Sequence, residues 1–287
     1  MNDFYIGIDV GATFTKGGLV RDGEIIYRTR VPSQKGSLEF LLAVITEILN
    51  TTKTKPAGIG ICFAGMTTKK RVLLSAINLG FREPVDIAAA VEEKFGIPTR
   101  IGNDIACFAL AQMHESKIQH LVYMALGTGI NVGVISGGKL YSGANDTTLE
   151  YGHTCFWPVK EKSTPACVCG LSGCVELFVG GKALMTLGKN AGIEATTPEQ
   201  VFAASREIAD GFISCLSTVL LNITNTYRPD KIFLGGGLTA MIEPYVESLN
   251  KDLAAKNYGY KNAPPTTVEV SKLMTDGGLL GATLLFD

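Results

Sequence analysis

The sequence predicts an α/β protein made of two similar halves, each of which opens with a β-hairpin followed by helices. An apolar strand over residues 4–10 precedes a glycine-rich turn, Gly11-Ala12-Thr13, and a second strand. The same order recurs where a strand over 120–126 precedes Gly127-Thr128-Gly129 and a partner strand at 131–135. Apolar residues make up 46% of the 287 residues, which is enough to build two folded domains. We therefore expect a duplicated unit with a cleft between its halves.

The spacing of apolar residues predicts the elements of the first half. Asp22-Gly23 is a hairpin signal between the second and third strands. Asp104 is placed to cap the last helix of this half. Strands are expected at 4–10, 17–21, 24–30, 57–63 and 98–101, and helices at 38–50, 86–95 and 105–115.

The second half is predicted to be richer in helix. Strands are expected at 120–126, 131–135, 139–141, 231–234 and 267–270, and helices at about 175–190, 198–227, 243–256 and 277–286. No low-complexity linker is evident, so the domain boundary is expected near residues 116–119. This gives domains over 1–118 and 119–274, with a terminal helix at about 275–287 that returns to the first domain.

Composition excludes several classes of protein. The formal net charge is −1, and no basic stripe of the kind that nucleic-acid binding needs is present. The N-terminus lacks the basic region of a signal peptide, and no uninterrupted apolar run approaches the length of a membrane span. We expect a soluble cytoplasmic protein without nucleic-acid or membrane partners.

One imidazole and three thiols lie close together in the sequence, at His153, Cys167, Cys169 and Cys174. They form the ligand set of a closed tetrahedral zinc site, which points to a structural ion. Buried free thiols, a disulfide and an iron–sulfur cluster are the alternatives. The odd count of seven cysteines disfavours disulfides, and an iron–sulfur cluster usually takes four thiolates.

Glycine-rich turns after strands predict phosphate binding. The first turn carries Gly11 and Thr13, whose backbone N–H groups suit phosphate oxygens, and Lys16 would add positive charge. Asp9 at the strand end is a candidate Mg²⁺ ligand. A solvated Asp on an ordinary hairpin is the alternative. The motif precedes a strand, so it is neither a dinucleotide fingerprint nor a P-loop.

The second half repeats this logic. Gly127, Thr128 and Gly129 form an equivalent turn, and two such hairpins are more specific than one. A third cluster, Gly235-Gly236-Gly237, follows a strand and would allow close approach of a base or ribose. An ordinary tight turn is the alternative for this third cluster.

Polar residues with potential for acid–base and hydroxyl chemistry form two groups. Asn103-Asp104 ends a strand and starts a helix, so Asp104 can act as a general base and Asn103 can hold a hydroxyl. A simple N-cap is the alternative. Glu150, His153 and Glu176 flank the cysteines and suit vicinal sugar hydroxyls, and a purely solvated role for the two glutamates is the alternative.

These motifs together resemble the ROK family of sugar kinases and sugar-responsive repressors over nearly the whole chain. The strongest match is the segment from Gly127 to His153 with the Cys-x-Cys-Gly-x-x-Gly-Cys-x-Glu segment that ends at Glu176. The resemblance implies a duplicated ribonuclease-H-like fold, as in actin, hexokinase and Hsp70. It implies ATP and Mg²⁺ as cofactors, structural Zn²⁺, a sugar substrate and a homodimer.

The resemblance also implies roles for single residues. Asp104 would be the general base of a hexose kinase acting at the 6-hydroxyl. Sugar would be bound by Gly65, Asn78, Asn103, Asp104, Glu150, His153 and Glu176, ATP–Mg²⁺ by Asp9, Gly11, Thr13, Gly127, Thr128 and Gly129, and zinc by His153, Cys167, Cys169 and Cys174.

Three departures from the family pattern lie on the sugar side. Leu149 replaces the usual Gly before Glu150, Ala64 replaces the Pro before Gly65, and the loop at 156–166 is longer than usual. Glucose is therefore one option beside N-acetylmannosamine, N-acetylglucosamine, allose and fructose, and polyphosphate is an alternative phosphate donor.

Three other functions compete with the kinase. A sugar-responsive regulator would need an N-terminal helix-turn-helix, for which the strand at residue 4 leaves no room. A chaperone-like or filament-like ATPase would not need the zinc segment or Asn103-Asp104. A sugar-binding protein without turnover would not need Asp9 and Asp104.

Overall fold

The computed structural model describes residues 4–156, 166–256, 264–273 and 275–286. The strands are Phe4–Val10 (β1), Phe14–Arg21 (β2), Glu24–Pro32 (β3), Gly58–Phe63 (β4), Met66–Thr68 (β5), Val72–Ser75 (β6), Val85–Asp86 (β7), Thr99–Asn103 (β8), Leu121–Leu126 (β9), Ile130–Ser136 (β10), Lys139–Tyr141 (β11), Lys231–Gly235 (β12) and Thr267–Val270 (β13). The helices are Leu38–Leu49 (α1), Ile87–Phe95 (α2), Asp104–Ser116 (α3), Gly181–Asn190 (α4), Pro198–Ala204 (α5), Arg206–Tyr227 (α6), Thr239–Ile242 (α7), Val246–Ala255 (α8) and Gly277–Thr283 (α9).

Two five-stranded sheets share one topology. The first has the order β3-β2-β1-β4-β8, and the second has the order β11-β10-β9-β12-β13. In each sheet the opening hairpin is antiparallel, and two further strands then add parallel to its first strand. The repeat of this mixed order confirms the predicted duplicated α/β fold.

The chain divides into two compact units. The first unit contains Met1–Lys117, Gly138–Leu149 and Leu273–Asp287, and the second contains Ile118–Gly137 and Glu150–Lys272. In the first unit, apolar side chains of β1, β4 and α1 form a core of fully buried residues that includes Ile6, Ile61 and Ile45. Every residue of β4 is buried, as expected for a central parallel strand covered on both faces.

Three predicted helices are shorter than expected because each is interrupted. The predicted 175–190 helix begins only at Gly181, since Gly180 takes a φ of 136° that no helix can include. The 198–227 pattern is two helices separated at Ser205, whose hydroxyl caps α6 through Ile208 N–H. The 243–256 pattern begins as a 3₁₀ turn at Glu243–Tyr245 with proline in its first turn.

The small antiparallel sheet β5-β6-β7 was not predicted from the sequence. Its strands have three, four and two residues, which is too short for an alternating pattern to stand out.

Helix α6 is, within the described ranges, the single helix long and apolar enough to span a membrane. The helix qualifies by its length and composition alone, and its mean hydropathy is 1.2. Its buried side chains recur every three or four residues, as in Phe212, Leu216, Val219 and Ile223. This spacing is that of a core helix with one apolar face.

Helix α9 packs directly on glycines of the first sheet. A methyl group on Gly60 of β4 would collide with the carbonyl oxygen of Ala282, and one on Gly7 of β1 would collide with that of Leu279. The absence of side chains here lets the helix backbone approach the strands closely.

We predict that Gly60→Ala lowers the free energy of unfolding by about 3 kcal/mol, because the added methyl meets rigid backbone of α9. Chemical denaturation would measure the loss. Gly211→Ala is the matched control, since that methyl would meet open space on α6 and should be neutral or mildly stabilising. Equal stabilities of the two variants would contradict this packing.

Candidate functional site

Asp9 and Lys16 face each other across the first hairpin. They are register partners in β1 and β2, and Nζ of Lys16 lies 3.8 Å from Oδ2 of Asp9. Lys16 also donates to the carbonyl of Thr275. Burial raises the pKa of Asp9, while Lys16 and a hydrogen bond from Cys62 oppose that rise. A partly desolvated carboxylate beside an ammonium group suits an incoming cation bound to phosphate.

Ser33 holds the turn that joins β1 to β2. Its hydroxyl donates to the carbonyl of Gly11 at 2.7 Å and lies 2.8 Å from the hydroxyl of Thr15. Its N–H donates to the carbonyl of Thr13 at 3.0 Å. These hydrogen bonds hold the backbone of the turn in place, and Thr13 is exposed at its tip. Ser33 was not predicted from the sequence as a site residue, because it lies 18 residues beyond its partner Thr15.

Gly278 is a second residue of the site that was not predicted from the sequence. A methyl group at this position of α9 would lie 2.8 Å from Cγ of Asp9. The glycine thus leaves the space that the Asp9 carboxylate occupies. Gly278 and Asp9 lie 269 positions apart in the chain, so no local spacing pattern in the sequence could reveal their contact.

Asn103 and Asp104 sit at the junction of β8 and α3. The Asn103 side-chain oxygen caps the helix by accepting from Ile105 N–H at 2.9 Å, so the cap is Asn103 rather than Asp104. The amide of Asn103 donates to the carbonyl of Gly65 at 3.0 Å, which brings two predicted sugar ligands together. Oδ1 of Asp104 also accepts from Ile105 N–H at 3.0 Å, which orients the carboxyl group.

The environment of Asp104 raises its pKa to about 7. Removal of water from around the carboxyl group is the main cause, and the negative charge of Asp9 adds to it. The hydrogen bond from Ile105 opposes the rise but does not cancel it. A carboxyl group whose pKa lies near neutrality is matched to proton transfer.

Two buried thiols lie beside these carboxyl groups. Cys62 is the register neighbour of Asp9 on one side and of Gly102 on the other. Hydrogen bonding to Cys107, together with burial, raises the pKa of Cys62, which therefore stays a neutral thiol. Its S–H donates toward Asp9 and helps to fix that side chain.

Asn78 lies apart on the short 3₁₀ helix Ile77–Leu79, where its side chain is exposed. The carbonyl of Leu79 accepts from Gly36 N–H at 2.7 Å. A methyl group on Gly65 would come within 2.7 Å of Cβ of Ala76, so the two loops pack closely.

In the second unit, the turn after β9 is bound to the start of α4. Gly181 N–H donates to the carbonyl of Gly127 at 2.8 Å, and Lys182 N–H donates to that of Thr128 at 2.9 Å. The first donors of α4, which have no partner within the helix, are satisfied in this way. Thr128 itself stays exposed.

The triple glycine lies next to this turn. Gly235 of β12 is the register partner of Ala125 in β9, and Gly236 has a φ of 97°. Leu238 N–H donates to the carbonyl of Leu126 at 3.1 Å. The structure thus brings the 235–237 cluster and the 127–129 turn to adjacent strand ends.

The four predicted zinc ligands gather at one point. The candidate ligand atoms of His153, Cys167, Cys169 and Cys174 all lie within 4.8 Å of one another. Sγ of Cys169 is 3.6 Å from Sγ of Cys174, and Sγ of Cys167 is 3.4 Å from Nδ1 of His153. Tetrahedral zinc with thiolate bonds of 2.3 Å separates two sulfurs by about 3.8 Å. The donor set and its spacing fit a structural zinc ion.

Glu176 connects this cluster to the 127–129 turn. Its Oε1 lies 3.1 Å from Sγ of Cys167, and its Oε2 would lie 2.9 Å from a methyl group on Gly129. One side chain thus contacts both the zinc ligands and the glycine turn. The predicted loop insertion at 156–166 falls mainly outside the described residues.

Asn131 orients the segment that carries Glu150 and His153. Its side-chain oxygen accepts from Tyr151 N–H at 2.9 Å, and Gly152 packs against the carbonyl of Ile130. The side chain of Glu150 is exposed, yet neighbouring protein atoms raise its pKa, with His153 opposing the rise. From the sequence, Asn131 was predicted only as the first residue of the strand at 131–135, with no role in the site.

Comparison with known proteins gives a consistent result. A model of the ROK family matches residues 5–287. An N-acetylmannosamine kinase from Citrobacter koseri is 28% identical over 98% of this chain and 97% of its own length. A xylose repressor from Bacillus subtilis is 25% identical over 89% of this chain and 70% of its own length. Among solved structures, a ROK hexokinase from Thermus thermophilus has a TM-score of 0.83 and 25% identity, covering 98% of this chain and 97% of that one.

Proposed function

The chain belongs to the ROK family, whose members include sugar kinases and repressors, and on that premise we propose that it is an ATP-dependent kinase phosphorylating a hexose at the 6-hydroxyl. The observation that carries the proposal is the Asp104 carboxyl group. It is oriented by Ile105 N–H and has a pKa of about 7, which is the property of a general base.

In the proposed reaction, Asp104 accepts the proton of the sugar 6-hydroxyl as that oxygen attacks the γ-phosphorus of ATP. The bond to the β-phosphate oxygen breaks, and ADP leaves. Mg²⁺, when bound, would neutralise charge on the phosphates, and Asp9 is the residue that would hold it. Lys16 keeps Asp9 oriented across the hairpin.

The remaining site residues receive roles within this proposal. Gly11, Thr13, Lys16, Gly127, Thr128, Gly129, Gly235, Gly236 and Gly237 are the proposed nucleotide contacts. Gly65, Asn78, Asn103, Glu150, His153 and Glu176 are the proposed sugar contacts. Contacts within each unit support this grouping. The side-chain amide of Asn103 donates to the carbonyl of Gly65, and Oε2 of Glu176 lies next to Gly129.

The zinc site would act as a clamp for sugar binding. His153 presents Nδ1 toward Cys167, so its Nε2 remains on the opposite side of the ring for a hydroxyl or a carboxylate. The proposed ion would fix the ring and the backbone on both sides of it.

N-acetylhexosamines are the second candidate substrates. The observation that favours them is the 28% identity to an N-acetylmannosamine kinase over nearly the full length of both chains. Leu149 before Glu150 and Ala64 before Gly65 also mark a sugar side that departs from the usual glucose pattern.

The proposal is tested by measuring ADP release from ATP–Mg²⁺ with glucose, mannose, fructose, allose, N-acetylglucosamine and N-acetylmannosamine. Turnover with one sugar well above the rate without sugar supports the kinase and names its substrate. Sugar-independent ADP release would favour a simple ATPase, and sugar binding without any turnover would favour a regulator or sensor.

We predict that kcat/KM of the kinase falls as the pH drops through about 7. The base must be ionised, and the raised pKa of Asp104 places its protonation there. Initial rates between roughly pH 5.5 and 8.5 would show this fall in kcat/KM on the acidic side of the profile. A profile that stays flat to roughly pH 5 would contradict the assigned environment of Asp104, whose ordinary pKa is 3.8.

A further inference from the structure

A fourth cysteine, Cys155, lies beside the proposed zinc cluster and has no role in the proposed function. Its side chain is exposed, and its backbone pairs with that of Cys174 in an isolated antiparallel bridge. Cys174 is a proposed zinc ligand and is only 1% exposed. An exposed thiol is thus held opposite a buried metal ligand.

The hydrogen bonds around this bridge define the kind of cross-strand pair that the two cysteines form. Phe156 N–H donates to the carbonyl of Gly173 at 2.7 Å, and Val175 N–H donates to that of Thr154 at 3.0 Å. The flanking residues make both bonds, so the cysteines themselves are a non-hydrogen-bonded pair. In such a pair the side chains share one face and the Cα atoms lie about 4.5 Å apart, within the roughly 4.4–6.8 Å that a disulfide spans.

Cys155 is also the cysteine that a dissolved oxidant can reach without displacing the proposed ion. All seven cysteines lie among the described residues. Cys62 and Cys107 are fully buried, and Cys215 is half-buried on α6. The three cluster cysteines would be bound to zinc. Because oxidation of a thiol follows its exposure, it should begin at Cys155.

We propose that Cys155 is an oxidation site that forms a disulfide with Cys174 and thereby releases the zinc ion. The oxidant does not need to reach buried Cys174, because the thiol that it oxidises already lies opposite that residue. Disulfides of this kind in a reducing compartment are transient and sense oxidants.

Hydrogen peroxide balances the reaction. The sulfur of Cys155 attacks one peroxide oxygen, the oxygen–oxygen bond breaks, and water leaves, which gives a sulfenic acid. The sulfur of Cys174 then attacks the sulfenic sulfur, the sulfur–oxygen bond breaks, and the leaving hydroxide takes a proton from solvent. The two sulfurs together lose two electrons, which reduce the peroxide to two waters. The sulfur–sulfur bond replaces the bond between Cys174 and zinc.

The disulfide would leave the ion with three of its four candidate ligands. Structural zinc sites use four, so the remaining three should bind the ion more weakly. The chain after Cys174 leads to Glu176, whose Oε2 would lie 2.9 Å from a methyl group on Gly129. An effect of oxidation on nucleotide binding rests on the proposed function, whereas the disulfide and the release of zinc do not.

Peroxide titration of the zinc-loaded protein tests the proposal, with a zinc-sensitive dye and with peptide mapping by mass spectrometry under non-reducing conditions. We expect zinc release in step with a linked peptide that contains Cys155 and Cys174. Cys155→Ser keeps all four ligands, so its zinc content and melting temperature should match those of the unsubstituted protein. Its zinc release should be at least about tenfold slower, because no second thiol is held opposite Cys174.

Two controls accompany this variant. Cys215→Ser keeps both sulfurs of the bridge and should release zinc at the rate of the unsubstituted protein. Dithiothreitol with added zinc should remove the linked peptide and restore the bound ion, because a disulfide is reversible whereas a sulfinic acid is not.

Equal rates of zinc release from Cys155→Ser and the unsubstituted protein would overturn the proposal. A linkage of Cys169 to Cys174 in place of the expected one would do the same, as would sulfinic acid at Cys155 with the ion retained, or purified protein that binds no zinc. None of these measurements needs turnover. A protein that forms the Cys155–Cys174 linkage but phosphorylates no sugar would therefore reject the proposed function alone.

Discussion

Asp104→Asn should lower kcat by roughly 100- to 10,000-fold, which is the usual contribution of a positioned general base. The amide keeps the shape of the carboxyl group and can still accept from Ile105 N–H, but it cannot take a proton from the sugar hydroxyl. Binding of ATP and of the sugar should change little, because the substitution removes no atom that fills space. Steady-state kinetics and equilibrium titrations on one preparation would separate the two effects.

The same substitution should stabilise the protein at neutral and alkaline pH. The folded state raises the pKa of Asp104 to about 7 from an ordinary value of 3.8, so the folded state binds this proton more tightly than the unfolded chain does. Stability contributed by the protonated group is complete below about pH 3.8 and is lost as pH rises through 7. Asparagine does not titrate, so the variant should melt at a higher temperature than the unsubstituted protein at pH 8 but not at pH 4.

Asp252→Asn is the matched control. Asp252 lies on α8, where hydrogen bonds from Lys256 and Ser217 lower its pKa. Replacing the Asp252 carboxylate should leave turnover intact and should slightly reduce stability at neutral pH, whereas Asp104→Asn should increase stability there. If Asp104→Asn retained full turnover, the assignment of the base would be wrong.

Loss of the zinc ligands should have the second largest effect. We expect the purified protein to contain about one equivalent of zinc and the Cys174→Ser variant to contain almost none. Because Cys174 is buried and its segment leads directly to Glu176, the free energy of unfolding should fall by about 3 kcal/mol or more. Elemental analysis and thermal denaturation, with and without a chelator, would measure both quantities.

Zinc loss should also weaken nucleotide binding. The chain that follows Cys174 reaches Gly181 and Lys182, whose N–H groups bind the 127–129 turn. Disorder at the ligands would therefore release a turn that is proposed to contact phosphate. Cys215→Ser, which changes a thiol outside the cluster on α6, should alter neither metal content nor nucleotide affinity. Full stability of zinc-free protein would contradict a structural role for the metal.

The predictable parts of the site are those whose geometry is local in sequence. The zinc ligands come together as expected because three of the four fall within eight residues, around a turn that glycines permit. Asp9 and Lys16 meet because a hairpin fixes its own register. The duplicated sheets followed from the same reasoning, since strand, glycine turn and strand recur in both halves.

The unpredictable parts depend on distant contacts or break local rules. Gly278 leaves room for Asp9 through the packing of a helix from the far end of the chain, and Cys62 reaches Asp9 through parallel strand pairing. Gly180 interrupts a pattern that apolar spacing favours as helix. Lys69-Lys70 is not a typical turn sequence, so the short strands β5 and β6 that it connects were not predicted. Such violations of local preference are where tertiary structure or function decides the residue.

Sugar phosphorylation by this protein is tested most directly by ³¹P NMR of the protein incubated with ATP, Mg²⁺ and the hexose that supports ADP release. We expect a new phosphomonoester resonance at the sugar 6-position that grows as ATP is consumed, and we expect no such resonance with Asp104→Asn protein that still binds both substrates. ADP and free phosphate without a sugar phosphate, or equal product from the variant, would contradict it.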